Sequence, residues 1–358
     1  MDKHREKSSF RRKPESRDEA WIPGRASLAR NDEESAHGKG DLKDRSYDLA
    51  MTNSNMLWPH RFAMLTAIAT FPLLFVGGLV TSMGAGLAVP DWPTTFGYNM
   101  FTYPWSQMVG GIFYEHSHRL FGSAVGFLTI LLAVSLWRLE SHPWLRRLGL
   151  IALGGVILQG TLGGLRVVLL QQTLAIIHAC AAQAFFALIA SIALFTSAEW
   201  QGQPARHNSA ETDSIRRLGL MTVGFLYMQL ILGAIVRHRG ELVELHIIGA
   251  AVATVHVVLL ARRAKRVETK IPRLTRSAIL LCSLLLAQLS LGFGAYFAKF
   301  TATGMFLNPY LVLLATSHVV IGALMLVTSV RLTLRAFRFL DAPSQIVDAP
   351  LVSGNAAV

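Results

Sequence analysis

Charge is what this sequence has least of. Only 16% of its 358 residues are Asp, Glu, Lys or Arg, against about a quarter in an ordinary soluble domain. With 52% of the residues hydrophobic, a soluble globular protein is excluded. Cysteine is nearly missing as well. Cys180 and Cys282 each sit inside an apolar run, which leaves no disulfide framework or zinc spacing and reads as two small buried hydrophobes. A third lack is local: residues 81–112 contain no Lys or Arg, although the whole chain carries a net charge of +12. That net charge does not point to nucleic acid, because the basic residues lie in short loops between apolar runs and not on one soluble face.

What is present is a series of eight apolar runs, at roughly 62–80, 118–137, 148–165, 173–197, 218–236, 244–261, 277–298 and 308–330. About 20 apolar residues at 1.5 Å each cross the hydrocarbon of a bilayer, so the expected fold is an all-α integral membrane protein with eight transmembrane helices. Lys and Arg set the orientation. Arg138, Arg146, Arg147, Arg206, Arg216, Arg217 and the cluster at 262–276 follow the second, fourth and sixth runs, and Arg331, Arg335 and Arg338 follow the eighth. The opposite loops hold only Arg166, Arg237, Arg239 and Lys299. Both termini are therefore expected on the cytoplasmic side, and the 81–112 loop outside, with Trp92, Tyr98, Tyr103 and Trp105 suited to the membrane interface. Residues 1–57 are rich in both charges, and no apolar h-region follows those charges closely. They read as a disordered cytoplasmic tail and not a signal or transit peptide, and residues 339–358 read as a second tail.

A short pattern repeats along the spans. Gln159-x-x-Leu162-Gly163, Gln229-x-x-Leu232-Gly233 and Gln288-x-x-Leu291-Gly292 occur in the third, fifth and seventh runs. The first run offers Gly78 in register, with Leu74 in place of the glutamine. After each of these comes a run bearing a histidine: His118, His178, His246 and His318. A helix pair used four times divides the chain into two four-helix bundles, 58–200 and 201–338. Glycines beside the glutamines would let helices approach closely.

Ionisable residues within a bilayer are costly and usually face a functional interior. The first three histidines are expected in the first turns of their helices and His318 two or three turns deep, all toward the outer side. Two facing histidines per bundle could supply axial nitrogens to a planar iron macrocycle. His116, two residues from His118, is rotated about 200° away and cannot share its ligand face. His256 reads as a solvated or packing residue near the cytoplasmic end, and His60, His142, His207 and His238 as loop or span-end residues. Glu115, at i−3 from His118, lies on the same helix face, where a carboxylate can move a proton, stabilise positive charge or orient the imidazole. Val243 and Ala315 occupy the corresponding positions before His246 and His318. Arg119, Arg166 and Arg237, at outer helix ends, suit either carboxylate pairing or interfacial anchoring.

Three features together resemble the haem A synthase family: Gly86-Leu87-Ala88-Val89-Pro90-Asp91-Trp92-Pro93 after the first run, Glu115-x-x-His118-Arg119 opening the second, and single histidines in the fourth, sixth and eighth. The likeness covers roughly residues 60–335. It implies two pseudo-symmetric four-helix bundles in the bacterial cytoplasmic membrane. It also implies His246 and His318 as axial ligands of a resident haem b, and His118 and His178 around the substrate haem O; by position, Arg119 is a candidate contact to that substrate and Arg166 and Arg237 are candidate propionate contacts. Glu115 would be the catalytic group beside a ring methyl that is oxidised to a formyl group with oxygen from water, giving haem A for terminal oxidase biogenesis. Candidate partners are a haem O synthase, an electron acceptor the sequence does not name, the lipid bilayer and a second copy of the chain. One departure stands out: many members carry a cysteine pair in the first outer loop, where this chain has Val89 and Thr94–Thr95. A thiol route for electrons through that loop is therefore absent. Two other readings use the same histidines: a quinol-linked haem-b electron-transfer protein, and a haem chaperone or transporter without chemistry.

Overall fold

The computed structural model describes residues 57–202, 206–267, 271–301 and 309–342. Of the two expected tails, all but Leu57 of the first and all but 339–342 of the second lie outside these residues. The described chain forms eight long helices: α1 (Leu57–Ser82), α2 (Gly111–Leu139), α3 (Pro143–Val168), α4 (Gln172–Phe195), α6 (Thr212–Arg239), α7 (Val243–Lys265), α8 (Pro272–Thr301) and α9 (Pro309–Phe339). A single-turn helix, α5 (Ala198–Gln201), follows α4. Each long helix is apolar and long enough to cross a bilayer, and the chain is an all-α multi-pass membrane protein.

The helices outrun the apolar runs because their ends continue into polar residues. α2 ends with Arg138 in its last turn, α6 with Arg237, His238 and Arg239, and α7 with Arg262, Arg263 and Lys265. Local chemistry sets the ends. Pro143 sits in the first turn of α3, where its missing N–H costs nothing. Gly240, at φ 76°, closes α6 in the left-handed conformation that glycine adopts most readily.

Inside the membrane, hydroxyls turn back on their own helices. Thr70 donates to the Thr66 carbonyl at 2.7 Å, Thr129 to Val125 at 2.7 Å and Thr333 to Ser329 at 2.8 Å, as they must where no water is available. Ile68, Phe127, Ile157 and Leu286 are 61–69% exposed, which suits side chains that meet lipid.

Burial divides along the chain. Ala63, Val125, Leu132, Leu145 and Ile189 belong to one apolar cluster drawn from α1–α4. Ile215, Val257, Leu260, Leu281 and Leu332 belong to a second, drawn from α6–α9. A small third cluster, Leu74, Phe186, Ala190, Ala323 and Val327, joins α1, α4 and α9. At the arginine-rich end, β1 (His207–Asn208) pairs in parallel with β2 (Leu340–Asp341). Thr212 donates to the Asp341 carbonyl at 2.8 Å. Glu199 takes two bonds of 2.9 Å from Arg335, and Glu211 takes bonds from Arg263 at 2.8 Å and Arg266 at 2.7 Å. This small strand pair has no apolar alternation to announce it, and it carries the ordered chain past 338, into the segment expected to be a tail.

Candidate functional site

The four histidines meet as two pairs. The rings of His118 and His178 have centroids 6.4 Å apart with planes at 88°, and those of His246 and His318 are 6.3 Å apart at 77°. Depth differs from the sequence expectation. Because α2 begins at Gly111 and α4 at Gln172, His118 and His178 lie nearly two turns inside their helices and not in the first turn. His246 is in the first turn of α7, and His318 is about two and a half turns into α9, as expected.

Each imidazole lies against a glycine of the preceding long helix. A methyl group at Gly163 would come within 3.3 Å of His178, at Gly233 within 3.2 Å of His246 and at Gly292 within 2.8 Å of His318. The glycine facing His118 is Gly77, at 2.8 Å, whereas Gly78 packs on Thr316 of α9. The first copy of the repeat is thus Leu73-x-x-x-Gly77, one residue earlier than the Leu74 and Gly78 read from the sequence. Two adjacent glycines in α1 allow either register, and only helix packing chooses between them.

Glu115 is 3% exposed. One carboxylate oxygen accepts the Val89 backbone N–H at 3.0 Å, and the other pairs with Arg119 at 3.1 Å. Arg119 also donates to the carbonyls of Asp91 at 2.7 Å, Thr94 at 2.9 Å and Val89 at 3.1 Å. Glutamate and arginine, one helical turn apart, therefore bind the 83–110 loop to α2. His116, dismissed by the helical-wheel argument as a ligand, has its own task. It is 1% exposed, its Nδ1 is 3.1 Å from the Thr95 hydroxyl, and Tyr103 packs on its ring at 5.1 Å. The rotation that takes it off the His118 face points it at the loop. His256 packs on Phe225 at 4.4 Å as a core residue.

Asp91 organises the loop from within. Its carboxylate accepts the Phe96 N–H at 2.8 Å, the Gly97 N–H at 2.9 Å and the Thr94 hydroxyl at 2.5 Å. Partial burial works against its charge, but these bonds outweigh it and hold its pKa at about 2, below the ordinary 3.8. Phe96 and Gly97 both have positive φ, 51° and 78°, and the bonds to Asp91 stabilise that turn. Trp92 then lies over Gly164, where an added methyl would meet the indole at 2.2 Å. The Gly163-Gly164 doublet thus serves one imidazole and one indole.

The remaining arginines lie beside the pairs. Arg166 donates to the Gly86 carbonyl at 2.8 Å and is within electrostatic reach of Glu115, His118 and His178. Arg237 donates to the Gly78 carbonyl at 2.8 Å, the Ser82 hydroxyl at 2.6 Å and the Ala315 carbonyl at 3.1 Å, tying α6 to α1 and α9, and it reaches His318 electrostatically. Arg119 differs in its acceptors, since it is the one of the three paired with Glu115 and bonded to three loop carbonyls.

The pairs fit iron in a macrocycle better than a bare ion. Two imidazole nitrogens each about 2 Å from a shared first-row metal leave ring centroids about 6 Å apart, close to both observed separations. Among the described residues no group of three or more His, Cys, Asp or Glu could hold a metal ion. A metal at either pair would need ligands beyond the two imidazoles, which a macrocycle can supply.

A family profile described as cytochrome oxidase assembly protein, COX15-CtaA, matches residues 60–245, which includes Glu115, His118 and His178 and stops one residue before His246. The chain is 36% identical over 116 residues to a protein of Shouchella clausii named heme A synthase, covering 32% of this chain and 37% of that one. It is 29% identical over 183 residues to the heme A synthase of Halalkalibacterium halodurans, 49% of this chain and 58% of that one. It is 32% identical over 115 residues to that of Alkalihalophilus pseudofirmus, 31% of this chain and 37% of that one. The matched stretches thus span between about a third and three-fifths of these relatives.

Proposed function

Since the chain belongs to the cytochrome oxidase assembly protein family COX15-CtaA, we propose that it is a haem A synthase, oxidising a ring methyl of haem O to a formyl group. The observation that carries the reading is an asymmetry: two histidine pairs have nearly equal spacing, and only one has a buried carboxylate three residues before a histidine. His118 and His178 flank the substrate haem O in one four-helix bundle, built from α1–α4. His246 and His318 hold a resident haem b in the other, built from α6–α9. Arg166 and Arg237, each beside one pair, suit the propionates.

Haem supplies the redox chemistry of its own iron and ring; the protein supplies position and charge. Glu115, fixed under Val89 and paired with Arg119, presents a carboxylate that accepts protons as the methyl carbon is oxidised and water adds its oxygen. The loop above it keeps the carboxylate buried. Val89 and the Thr94–Thr95 region stand where a cysteine pair is found in many other members, so electrons leave by a route other than loop thiols. The surplus of Lys and Arg in alternate loops supports a topology with both termini on the cytoplasmic side and the 83–110 loop outside. A haem O synthase as donor and a second copy of the chain are candidate partners.

The test is co-expression with a source of haem O, followed by extraction and chromatography of the haems. Haem A accumulates with the wild type and not with Glu115→Ala. A wild type that binds haem b yet yields only haem O would replace this reading with that of an electron-transfer protein, which needs no carboxylate beside the first pair.

A further inference from the structure

The outer end of α1 belongs to one half of the molecule by sequence and is tied to the other half by hydrogen bonds. Among the described residues, every side-chain hydrogen bond that links residues 76–82 to another element runs to α6 or α9. Arg237 of α6 donates to the Gly78 carbonyl at 2.8 Å and to the Ser82 hydroxyl at 2.6 Å. Ser82 shares a further bond of 2.8 Å with the Thr316 hydroxyl of α9, and Arg237 closes the network on the Ala315 carbonyl at 3.1 Å. Thr316 is fully buried, so a polar group left unpaired there would find no water to replace its partner. The guanidinium also meets the last turns of α1, where the helix dipole favours a cation.

This stretch of α1 carries the backbone that abuts His118. A methyl group at Gly77 would lie 2.8 Å from the His118 ring, and one at Gly78 would lie 2.9 Å from the Thr316 methyl. The two adjacent glycines thus face the two halves. Contacts this close leave no slack, so a slide or rotation of α1 turns the imidazole. One turn beyond Gly78, α1 ends at Ser82 and gives way to the loop whose Val89 N–H binds Glu115.

We propose that Arg237, acting with Ser82 and Thr316, is a positioning residue through which α6 and α9 fix the outer end of α1, and with it the plane of the His118 imidazole. Apolar packing alone lets helices slip. A planar guanidinium bonded to acceptors on two helices fixes both their separation and their rotation. Its remaining N–H groups stay available for a propionate. His318 lies two residues beyond Thr316, so the helix that carries one ligand of the resident pair also sets a ligand of the substrate pair. The inference rests on His118 being a haem ligand, as in the function proposed above.

The test loads the purified full chain with haem b as the probe at both pairs. It reads the low-spin ferric electron-paramagnetic-resonance signals, whose g-values report the orientation of the axial imidazole planes. The signal missing from His118→Ala belongs to the first pair. Thr316→Val keeps the methyl against Gly78 and removes only the hydroxyl. It and Ser82→Ala should each shift that signal and weaken haem binding at the first pair about 3- to 10-fold, whereas Thr316→Ser should leave the signal in place. Arg237→Gln should shift it further. The hydroxyl oxygens of Ser82 and Thr316 are 2.8 Å apart, so Ser82→Cys with Thr316→Cys can form a disulfide. That bridge should return the Arg237→Gln signal to its wild-type position, and Ser82→Cys alone should not. A general loss of stability would lower the unfolding temperature without moving the g-values. Wild-type g-values in Ser82→Ala and Arg237→Gln, or a shift confined to the His246–His318 signal, overturn the inference and leave the proposed function standing. A wild type with no signal from the His118–His178 pair overturns both.

Discussion

The two histidine pairs have almost the same internal geometry and very different roofs. Above the first pair, the chain between α1 and α2 runs from residue 83 to 110 and is tied down by Glu115, Arg119, His116 and Asp91. Between α6 and α7 the connection is only Gly240–Leu242. Glu244, the acid nearest His246 in sequence, is exposed where Glu115 is buried. The helix-pair frame thus recurs with a facing imidazole pair each time, and only the first has a polar loop and a buried carboxylate above it. In the proposed reading that loop and carboxylate are what set the reacting pair apart.

The comparison breaks most sharply if the pairs are interchangeable. His246→Ala or His318→Ala should abolish the tightly bound haem b, whereas His118→Ala should keep that haem and lose haem A formation. Visible spectra of the purified proteins, set beside extracted haems, decide it, and a full haem b spectrum in His246→Ala would remove the assignment of pairs.

Next in size is Glu115→Gln, which keeps the side chain's shape and removes its charge. Haem A formation should fall by about 10²- to 10⁴-fold, with the resident haem b spectrum unchanged. The glycines give a third contrast. An added methyl at Gly292 would sit 2.8 Å from His318 and at Gly77 2.8 Å from His118. Gly292→Ala should therefore weaken haem b retention and Gly77→Ala should weaken haem O binding alone, measured by haem-to-protein ratios for each.

Smaller effects are expected from the loop. Arg119→Ala leaves three loop carbonyls and Glu115 without their donor, at a cost of about 1–3 kcal/mol for each group that water cannot reach. Faster amide exchange across 83–110 should report it. The smallest effect is acid loosening. The pKa of Asp91 falls from 3.8 to about 2 on folding, so its stabilisation is present above pH 3.8 and is lost as pH falls through 2. Amide exchange at Phe96 and Gly97 should quicken over that range in the wild type, and Asp91→Asn should remove the dependence.

Much of this was legible in the residues. Eight apolar runs became eight helices because the bilayer leaves the backbone no other way to satisfy itself. The four histidines could be picked out because a charge-poor chain displays its few polar residues. Other features were less legible. The helix start was misjudged at α2, since Ile112, Phe113 and Tyr114 merge into the apolar run and no capping side chain marks Gly111; the start of α4 was read to within one residue, and only the depth of His178 was missed. The register of the first repeat was ambiguous between Gly77 and Gly78. Arg119 read as one of three similar arginines, and only the folded loop shows that its donors are taken.

By itself, then, the sequence determined the class, the number of crossings and the four ligand candidates, because these follow from local composition and from the length needed to span hydrocarbon. Tertiary structure alone decided which histidine faces which, that Glu115 lies under Val89, that His116 serves the loop, and that Leu73 occupies the place Gln288 holds elsewhere. Those facts depend on the rotation of one helix against another. A single residue of drift turns a side chain by about 100°, and only the packing of neighbouring helices can settle that angle.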